Sequence, residues 1–255
     1  MNYKLKNNGF SLTEVLFALG TIAVGTVFIA GVFPVGLYFS TVATERTIAA
    51  VTADEAFAKI KLYGNTNPNL LSSLPLTNTC VDFKDVVAIA PFNFPPVEFA
   101  YPSDLDLKTQ KQYYWSALCR RINTANQLVQ VTVFVSRKRG NASTYAGFNW
   151  PVPVQVGVSP VPGPGSENKL TINTSGQKTF INDGYTIVDN ATGQIYRVMK
   201  RYADDPGTAI HEDQMILLDR PWKGTGPLGS VWVIPPADAG GRCPCIAVYQ
   251  KIIRF

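Results

Sequence analysis

The N-terminal part of the chain contains one long apolar run. From Phe10 to Phe33 the sequence reads FSLTEVLFALGTIAVGTVFIAGVF, in which Glu14 is the one ionisable side chain. As an α-helix this run would extend for roughly 36 Å, which exceeds the ~30 Å hydrocarbon core of a bilayer. Lys4 and Lys6 precede it, and no acidic residue does. The positive-inside bias therefore predicts one membrane-spanning helix over 10–33, with its N-terminus in the cytoplasm.

Glu14 does not fit a simple membrane anchor. A carboxylate inside the bilayer costs about 2.5–3.5 kcal/mol on insertion scales, so it normally has a partner. No Lys, Arg or His occurs between Phe10 and Glu45. A cleaved secretory signal has a shorter apolar core with a cleavage site after it, and no cysteine lies nearby for a lipoprotein signal. The alternative that needs no charge partner is that Glu14, near the helix end, extends its carboxylate to the membrane interface.

The residues around Glu14 carry a family resemblance. Gly9 to Leu16, GFSLTEVL, resembles the class III signal of type IV prepilins and type II secretion pseudopilins. In that family a basic leader ends in Gly, and a membrane-embedded prepilin peptidase cleaves after it and methylates the new N-terminal residue. The resemblance implies a cleaved leader over 1–9, cleavage between Gly9 and Phe10, and N-methylation of Phe10. It also implies an assembly role for Glu14, whose carboxylate pairs with the N-terminal amine of a neighbouring subunit.

Helical spacing continues beyond the apolar run. Small and apolar residues recur on one face at Val42, Ala49, Ala53, Ala56, Phe57 and Ile60. This pattern predicts an N-terminal helix segment over 10–64 that is bent at Pro34, with Gly64 as the C′ residue that follows the last helical residue. The resemblance implies that its second half packs on a globular domain. The sequence of the run is closer to minor pilins and minor pseudopilins than to major ones.

Two strands are predicted in a globular α+β region over 65–148. The segments KQYYWSALCRRI and NQLVQVTVFVSRKRG flank the polar turn NTAN. In the second segment Val129, Val131, Val133 and Val135 alternate with other residues, so the valine face is predicted to be buried. The resemblance implies that this sheet packs on the long helix.

The last part of the chain has the pattern of a second β-domain. Residues 149–168 are rich in proline and glycine and are predicted to be a linker. Short strands separated by turn signals follow over 169–255, including a hairpin in which Gly193 supplies a positive φ. The predicted fold is therefore α+β: a long N-terminal helix packed on a β-sheet, with a C-terminal small β-barrel or sandwich.

Charge and composition add little specific chemistry. The net charge is +5, but Arg137, Lys138 and Arg139 form the one dense basic cluster, so nucleic-acid binding is a minor hypothesis. His211 lies among acidic residues in a segment that has the composition of a solvated turn and lacks calcium-loop spacing. No nucleophile-elbow or phosphate-loop motif occurs. The sequence predicts no enzyme, no metal site and no cofactor.

Four cysteines are compatible with an oxidising compartment. They are Cys80, Cys119, Cys243 and Cys245, and they allow three complete pairings between which the sequence does not choose. Because Cys243-Pro244-Cys245 is a tight loop to bridge within itself, Cys80–Cys119 is the favoured candidate disulfide.

These observations predict a minor pilin or pseudopilin of a type IV pilus or a type II secretion pseudopilus. Its implied partners are other pilin subunits, prepilin peptidase, the inner-membrane assembly platform and the lipid bilayer. The protein would be single-pass in the bacterial inner membrane, with its globular part periplasmic before assembly. A second hypothesis is a membrane-anchored module that binds a glycan or a secreted substrate through exposed Tyr185, Trp222 and Trp232. A third is a DNA-uptake competence pilin that uses the basic cluster.

Overall fold

The computed structural model describes residues 11–66, 79–88, 94–103, 111–123, 128–140, 143–202, 214–224, 226–238 and 242–255. The chain divides into two compact units, Met1–Thr47 and Ile48–Phe255. The described part of the first unit is helical. The second unit contains the remaining helical turns and all of the described strands. The architecture is α+β, as predicted.

Helix α1 (Leu12–Thr66) has 55 residues and includes Pro34. Gly64, which was predicted to follow the helix, lies inside its last turn. A glycine costs only about 1 kcal/mol in a helix, so helical packing around it can carry the helix two residues further.

The predicted small-residue stripe is confirmed in the second unit. Ala49, Ala53 and Ala56 are fully or almost fully buried, as are Phe57 and Ile60. They belong to one apolar cluster with residues of the sheet. Alanine side chains allow a helix backbone to approach a sheet closely, which explains why small residues recur on this face.

Eleven strands are present among the described residues. They are β1 (Val81–Asp82), β2 (Ala100–Tyr101), β3 (Tyr113–Asn123), β4 (Leu128–Arg137), β5 (Val154–Pro160), β6 (Lys169–Ile172), β7 (Thr186–Asp189), β8 (Ile195–Arg201), β9 (Met215–Leu218), β10 (Gly229–Val233) and β11 (Cys245–Arg254). The order β1-β3-β4-β11, with β2 also paired to β3, forms an antiparallel sheet. A short helix α2 (Phe83–Val87) and a 3₁₀ helix (Pro96–Phe99) pack beside it.

Both faces of β4 are buried. Val129, Val131, Val133 and Val135 pack with helix α1, as the alternation predicts. The opposite face, which includes Phe134 at 0% exposure, packs in a second apolar cluster with Val188 and Ile234 of the barrel region. The sheet is therefore the middle layer between the helix and the barrel.

The barrel is closed and antiparallel, with the strand order β10-β5-β6-β9-β8-β7. Its interior is filled by buried aliphatic side chains and by Tyr185 and Tyr196. Six strands enclose a small cross-section, so side chains rather than solvent occupy the centre. Of the two predicted alternatives, barrel or sandwich, the structure has the barrel.

The β7–β8 turn attaches the barrel to the sheet. Four donors reach carbonyl groups of the turn. The Cys80 amide bonds to Asn190 at 2.8 Å, and Arg120 Nε bonds to Ala191 at 2.8 Å. Gln250 Nε2 at 2.8 Å and Gln130 Nε2 at 3.3 Å both bond to Gly193. Gly193 has φ +68°, as predicted for this hairpin. Hydrogen bonds and the apolar cluster together fix this attachment.

Two predicted boundaries differ from the structure. Residues 149–168, predicted to be a linker, contain β5, because Val156 and Val158 alternate into the barrel core while Pro160 lies at the strand end. The segment predicted to end the C-terminal domain forms β11, which pairs with β4. The barrel is thus inserted between two neighbouring strands of the sheet.

Candidate functional site: the N-terminal helix and its first turn

The start of α1 is defined by Ser11. The backbone amide of Glu14 donates to the Ser11 carbonyl at 3.1 Å and is 3.3 Å from Ser11 Oγ, while the Val15 amide donates to the Ser11 carbonyl at 3.2 Å. Ser11 Oγ also shares a hydrogen bond with Thr13 Oγ1 at 2.8 Å. These are the contacts of an N-cap residue. Gly9 and Phe10, the predicted cleavage and methylation positions, lie outside the described residues.

The prediction from the sequence omitted Ser11. A signal for it was present, because Ser-x-x-Glu is the capping-box pattern that marks a helix N-terminus. Glu14 occupies the third helical position, where its carboxylate also interacts favourably with the helix dipole. The same residue therefore has a local role that does not require a second subunit.

Glu14 is exposed. Within the described ranges, which begin at Ser11, it forms no salt bridge. Helix-dipole attraction stabilises a carboxylate by only about 0.3–1 kcal/mol at an exposed site, which is less than the membrane insertion cost given above. A charge partner from elsewhere would still be needed if this segment lies in lipid.

The helix is long and apolar enough to cross a membrane. Its large side chains are exposed over the first unit, with Leu12 79%, Phe17 78%, Val27 71% and Phe39 64% exposed. An unbroken apolar surface of this length is not expected to face water. The observation supports a membrane anchor, a helix that packs against other helices, or both in succession.

Threonine hydroxyls in this helix are satisfied internally. Thr21 Oγ1 donates to the Phe17 carbonyl at 3.0 Å, and Thr26 Oγ1 donates to the Ile22 carbonyl at 2.9 Å. Thr41 Oγ1 forms the same kind of bond and donates to the Leu37 carbonyl at 2.9 Å. Because lipid offers no alternative partner, such i−4 bonds allow hydroxyls within an apolar span.

The cysteines are all free thiols. Cys119 packs in the cluster on the helix side of the sheet, whereas Cys80 packs in the cluster on the barrel side. The register explains this difference, because Val81, and not Cys80, pairs with Cys119. Successive side chains alternate between faces, so the predicted Cys80–Cys119 disulfide is not formed.

Burial changes the acidity of several groups in the second unit. It raises the pKa of Cys80 to about 12 and raises the pKa of Cys119 further, beyond the range of ordinary thiols. Asp82 caps α2 by accepting a hydrogen bond from the Lys84 amide at 2.9 Å. Its burial, the largest effect, raises the pKa of Asp82 to about 7 against the opposing effect of that bond.

The residues of the alternative hypotheses are distributed over the second unit. Tyr185 is 3% exposed and belongs to the barrel core. Trp222 is partly buried against Tyr196, with ring centroids 5.1 Å apart, and Trp232 Nε1 donates to Asn190 Oδ1 at 2.8 Å. These aromatic side chains contribute to packing and do not form one exposed platform.

The basic cluster lies at the end of β4, where Arg137 and Arg139 are exposed and Lys138 is partly exposed. His211 and the acidic residues beside it lie outside the described residues. Among the described residues no group of three or more His, Cys, Asp or Glu side chains is arranged to hold a metal ion.

Comparison of the chain with known family models, curated proteins and solved structures gives no match.

Proposed function

We propose that this protein is a minor pilin or pseudopilin, a structural subunit that enters a filament through its N-terminal helix. The observation that carries the proposal is the coincidence of an exposed apolar helix with a carboxylate in its first turn that forms no salt bridge with the residues described from Ser11 onwards. The proposal is also supported by the sequence, in which a basic segment and Gly9-Phe10 precede Glu14 at the spacing of the prepilin-type signal that this segment resembles.

The proposed mechanism is electrostatic and steric. Cleavage after Gly9 creates an α-amine at Phe10, at the depth of Glu14. In the filament the Glu14 carboxylate of one subunit pairs with the amine of its neighbour, and the attraction in low dielectric offsets the desolvation of both charges. The exposed apolar side chains of 12–39 then exchange lipid for neighbouring helices. The sheet and barrel form the part displayed at the filament surface or tip.

The packing of the aromatic side chains favours a structural subunit over the binding-module hypothesis. That hypothesis requires exposed Tyr185, Trp222 and Trp232. Tyr185 is instead buried in the barrel core, and Trp222 and Trp232 are partly buried with partners. Burial removes Tyr185 from any sugar-binding surface, and Trp222 packs against Tyr196.

The decisive experiment is mass analysis of the N-terminus of the protein isolated from its native host. We expect a chain that begins at N-methyl-Phe10, and we expect Gly9→Val to abolish that conversion. Gly20→Val is the matched control, because a Cβ at Gly20 has no atom within 4 Å and the cleavage junction is untouched. An intact Met1 terminus in cells with active prepilin peptidase would refute the proposal.

A further inference from the structure

Strand β11 is the outermost strand of the sheet. It has ten residues and pairs with β4 on one side, and the order β1-β3-β4-β11 gives it no neighbouring strand on the other side within the described parts of the chain. The opposite edge of the sheet differs, because β1 and β2 each pair with β3 there. At about 3.4 Å per residue, the open edge of β11 is roughly 34 Å long.

The open edge presents backbone hydrogen-bonding groups. In an antiparallel pair, alternate residues exchange both of their backbone bonds with the partner strand, and the residues between them direct N–H and C=O the other way. About five residues of β11 therefore present both groups to the open edge. Apart from the β4 ladder, no backbone–backbone hydrogen bond joins β11 to another segment that the structure describes. Such an edge has the hydrogen-bonding pattern that a further strand completes.

The usual devices that block an edge strand are few in β11. Natural proteins shorten such strands, place Pro in them or distort them with bulges. Strand β11 is long, contains neither Pro nor Gly, and has an irregular register only near its start, between Cys245 and Ala247. Ile252, in its second half, is 63% exposed. The residue types that favour strands make up half of it: Ile246, Val248, Tyr249, Ile252 and Ile253.

Side-chain contacts hold β11 in place on both faces. On the helix side, Lys251 Nζ lies 2.8 Å from Asp54 Oδ1 and 4.6 Å from the ring centroid of Phe57. On the barrel side, Gln250 Nε2 donates to Thr132 Oγ1 and to the β7–β8 turn, each at 2.8 Å. An edge that is already fixed in the extended conformation loses little conformational entropy when another strand pairs with it.

The charges of β11 indicate what kind of strand fits the edge. Lys251 and Arg254 are its two cations, and it contains no acidic residue. They lie on opposite faces, because the side-chain direction alternates along a strand. Arg254 is exposed and forms no salt bridge with the residues that the structure describes. A second copy of β11 would bring four cations and no acid together, whereas an acidic strand would pair favourably with them.

We propose that the open edge of β11 binds an extended segment of a different protein as an added strand. This segment carries two acidic residues three positions apart, opposite Lys251 and Arg254, and an apolar residue beside Ile252. Backbone hydrogen bonds provide most of the affinity, and the side chains provide selectivity. The contact is separate from the N-terminal helix and does not depend on cleavage after Gly9, so it goes beyond the proposed function.

Hydrogen exchange resolved to single amides tests whether the edge is open. The full-length protein is measured in detergent, and its mass is measured by sedimentation. We expect a monomer in which the amides of β11 alternate between slow and fast exchange, with about five fast, while the β4 amides are all slow. Slow exchange throughout β11 in a monomer would overturn the proposal, because another segment of the chain would then cover the edge. Slow exchange throughout β11 in a dimer would overturn it in favour of a second copy.

A synthetic peptide tests the chemistry of the partner. The probe has ten residues of alternating threonine and valine, with glutamate at its fifth and eighth positions, and is added at up to about 1 mM. We expect the fast amides of β11 to become slow. The same peptide with N-methyl groups on its sixth and seventh amides, one for each edge of the peptide, should not protect them. Absence of protection by the first peptide, or equal protection by both, would overturn strand addition.

Charge reversal tests the selectivity. Arg254→Glu should weaken binding of the glutamate peptide by about fivefold and strengthen binding of a peptide with lysine at the eighth position. Arg197→Glu is the matched control, because Arg197 is also exposed but lies on β8, which has strands on both sides. It should leave both affinities unchanged. The alternating exchange pattern of β11 in each variant shows that the sheet has folded. Equal affinities of Arg254→Glu and the wild type for both peptides would overturn the acidic-partner assignment.

Discussion

The backbone amide of Glu14 lies 3.3 Å from the side-chain oxygen of Ser11 and donates to the Ser11 carbonyl at 3.1 Å. Glu14 thus belongs to the capped first turn of α1, while its carboxylate forms no salt bridge within the described part of the chain. Its place in the capped turn is observed and its pairing with another subunit is proposed, and the two respond differently to substitution.

For Glu14 we predict that charge, and not side-chain shape, controls assembly. Glu14→Gln keeps the size and hydrogen-bonding capacity of the side chain but cannot form an ion pair. We expect normal cleavage at Gly9 and a loss of most incorporation into filaments, measured by immunoblot of sheared filaments from the native host. Ser11→Ala is the control, since it removes the cap at a cost of about 1 kcal/mol and leaves the carboxylate. Equal incorporation of Glu14→Gln and the wild type would refute the pairing role.

For Asp82 we predict an unusual pH dependence of stability. Its pKa is raised to about 7 in the folded protein by burial, from an ordinary value of 3.8. Between these values the folded state holds a proton that the unfolded state has lost, so stability falls as pH rises from 4 to 7. The loss is on the order of 4 kcal/mol at most, and it is complete above pH 7.

The measurement compares Asp82→Asn with the wild type. Asparagine retains an oxygen that can accept from the Lys84 amide but does not ionise. Urea unfolding of the full chain in detergent, followed by tryptophan fluorescence, should show Asp82→Asn gaining stability over the wild type at pH 8 relative to pH 5. The same difference between the two proteins at both pH values would show that Asp82 does not titrate in this range.

For Gly193 we predict a destabilisation with two causes. Its φ is +68°, and an added Cβ would lie 2.8 Å from Gln130 Oε1. Gln130 is not free to move without cost, because it accepts from Arg120 Nη1 at 3.0 Å. An alanine in the left-handed region costs roughly 1–2 kcal/mol by itself. Gly193→Ala should therefore lower the free energy of unfolding by more than that amount.

Gly184→Ala is the matched control for Gly193. Gly184 has φ +78° and is exposed, and an added Cβ would meet no atom within 4 Å. Its substitution should cost about 1–2 kcal/mol in the same unfolding experiment. If the two alanine variants are equally stable, the contact between the β7–β8 turn and Gln130 does not constrain the barrel.

For the helix–sheet interface we predict that size is limiting at Ala53. This side chain is 1% exposed and belongs to the cluster with the β4 valines. Ala53→Leu should destabilise the protein by about 1–3 kcal/mol through overpacking. Ala50→Leu, on the exposed face of the same turn, should change stability by less than about 0.5 kcal/mol. A larger loss from Ala50→Leu would contradict this packing.

The local elements were largely predictable from the sequence. Helix α1 follows from a continuous apolar run and from Ala49, Ala53 and Ala56 at helical spacing, which are signals within a few turns of one another. Strand β4 follows from the alternation of its valines, and the positive φ of Gly193 from a turn signal. Ser11 was equally readable, since its pattern spans only four residues.

Pairing and coverage were not predictable in the same way. No local pattern in IAVYQKIIRF indicates that this segment pairs with β4, from which the inserted barrel separates it in sequence. No pattern within β4 indicates that the side chains on the Phe134 face are buried as completely as those on the valine face. The partner of a strand depends on chain segments far away in sequence, which alternate patterns do not encode.

The sequence by itself determined the long apolar helix and most of the short β-strands of the body, because each depends on neighbouring residues. Only the tertiary structure decided that Cys80 and Cys119 do not meet, since the register puts them on opposite faces of the sheet. The physical reason is that side-chain direction in a sheet reverses with every residue. A disulfide therefore depends on strand register, which is set by contacts between distant segments.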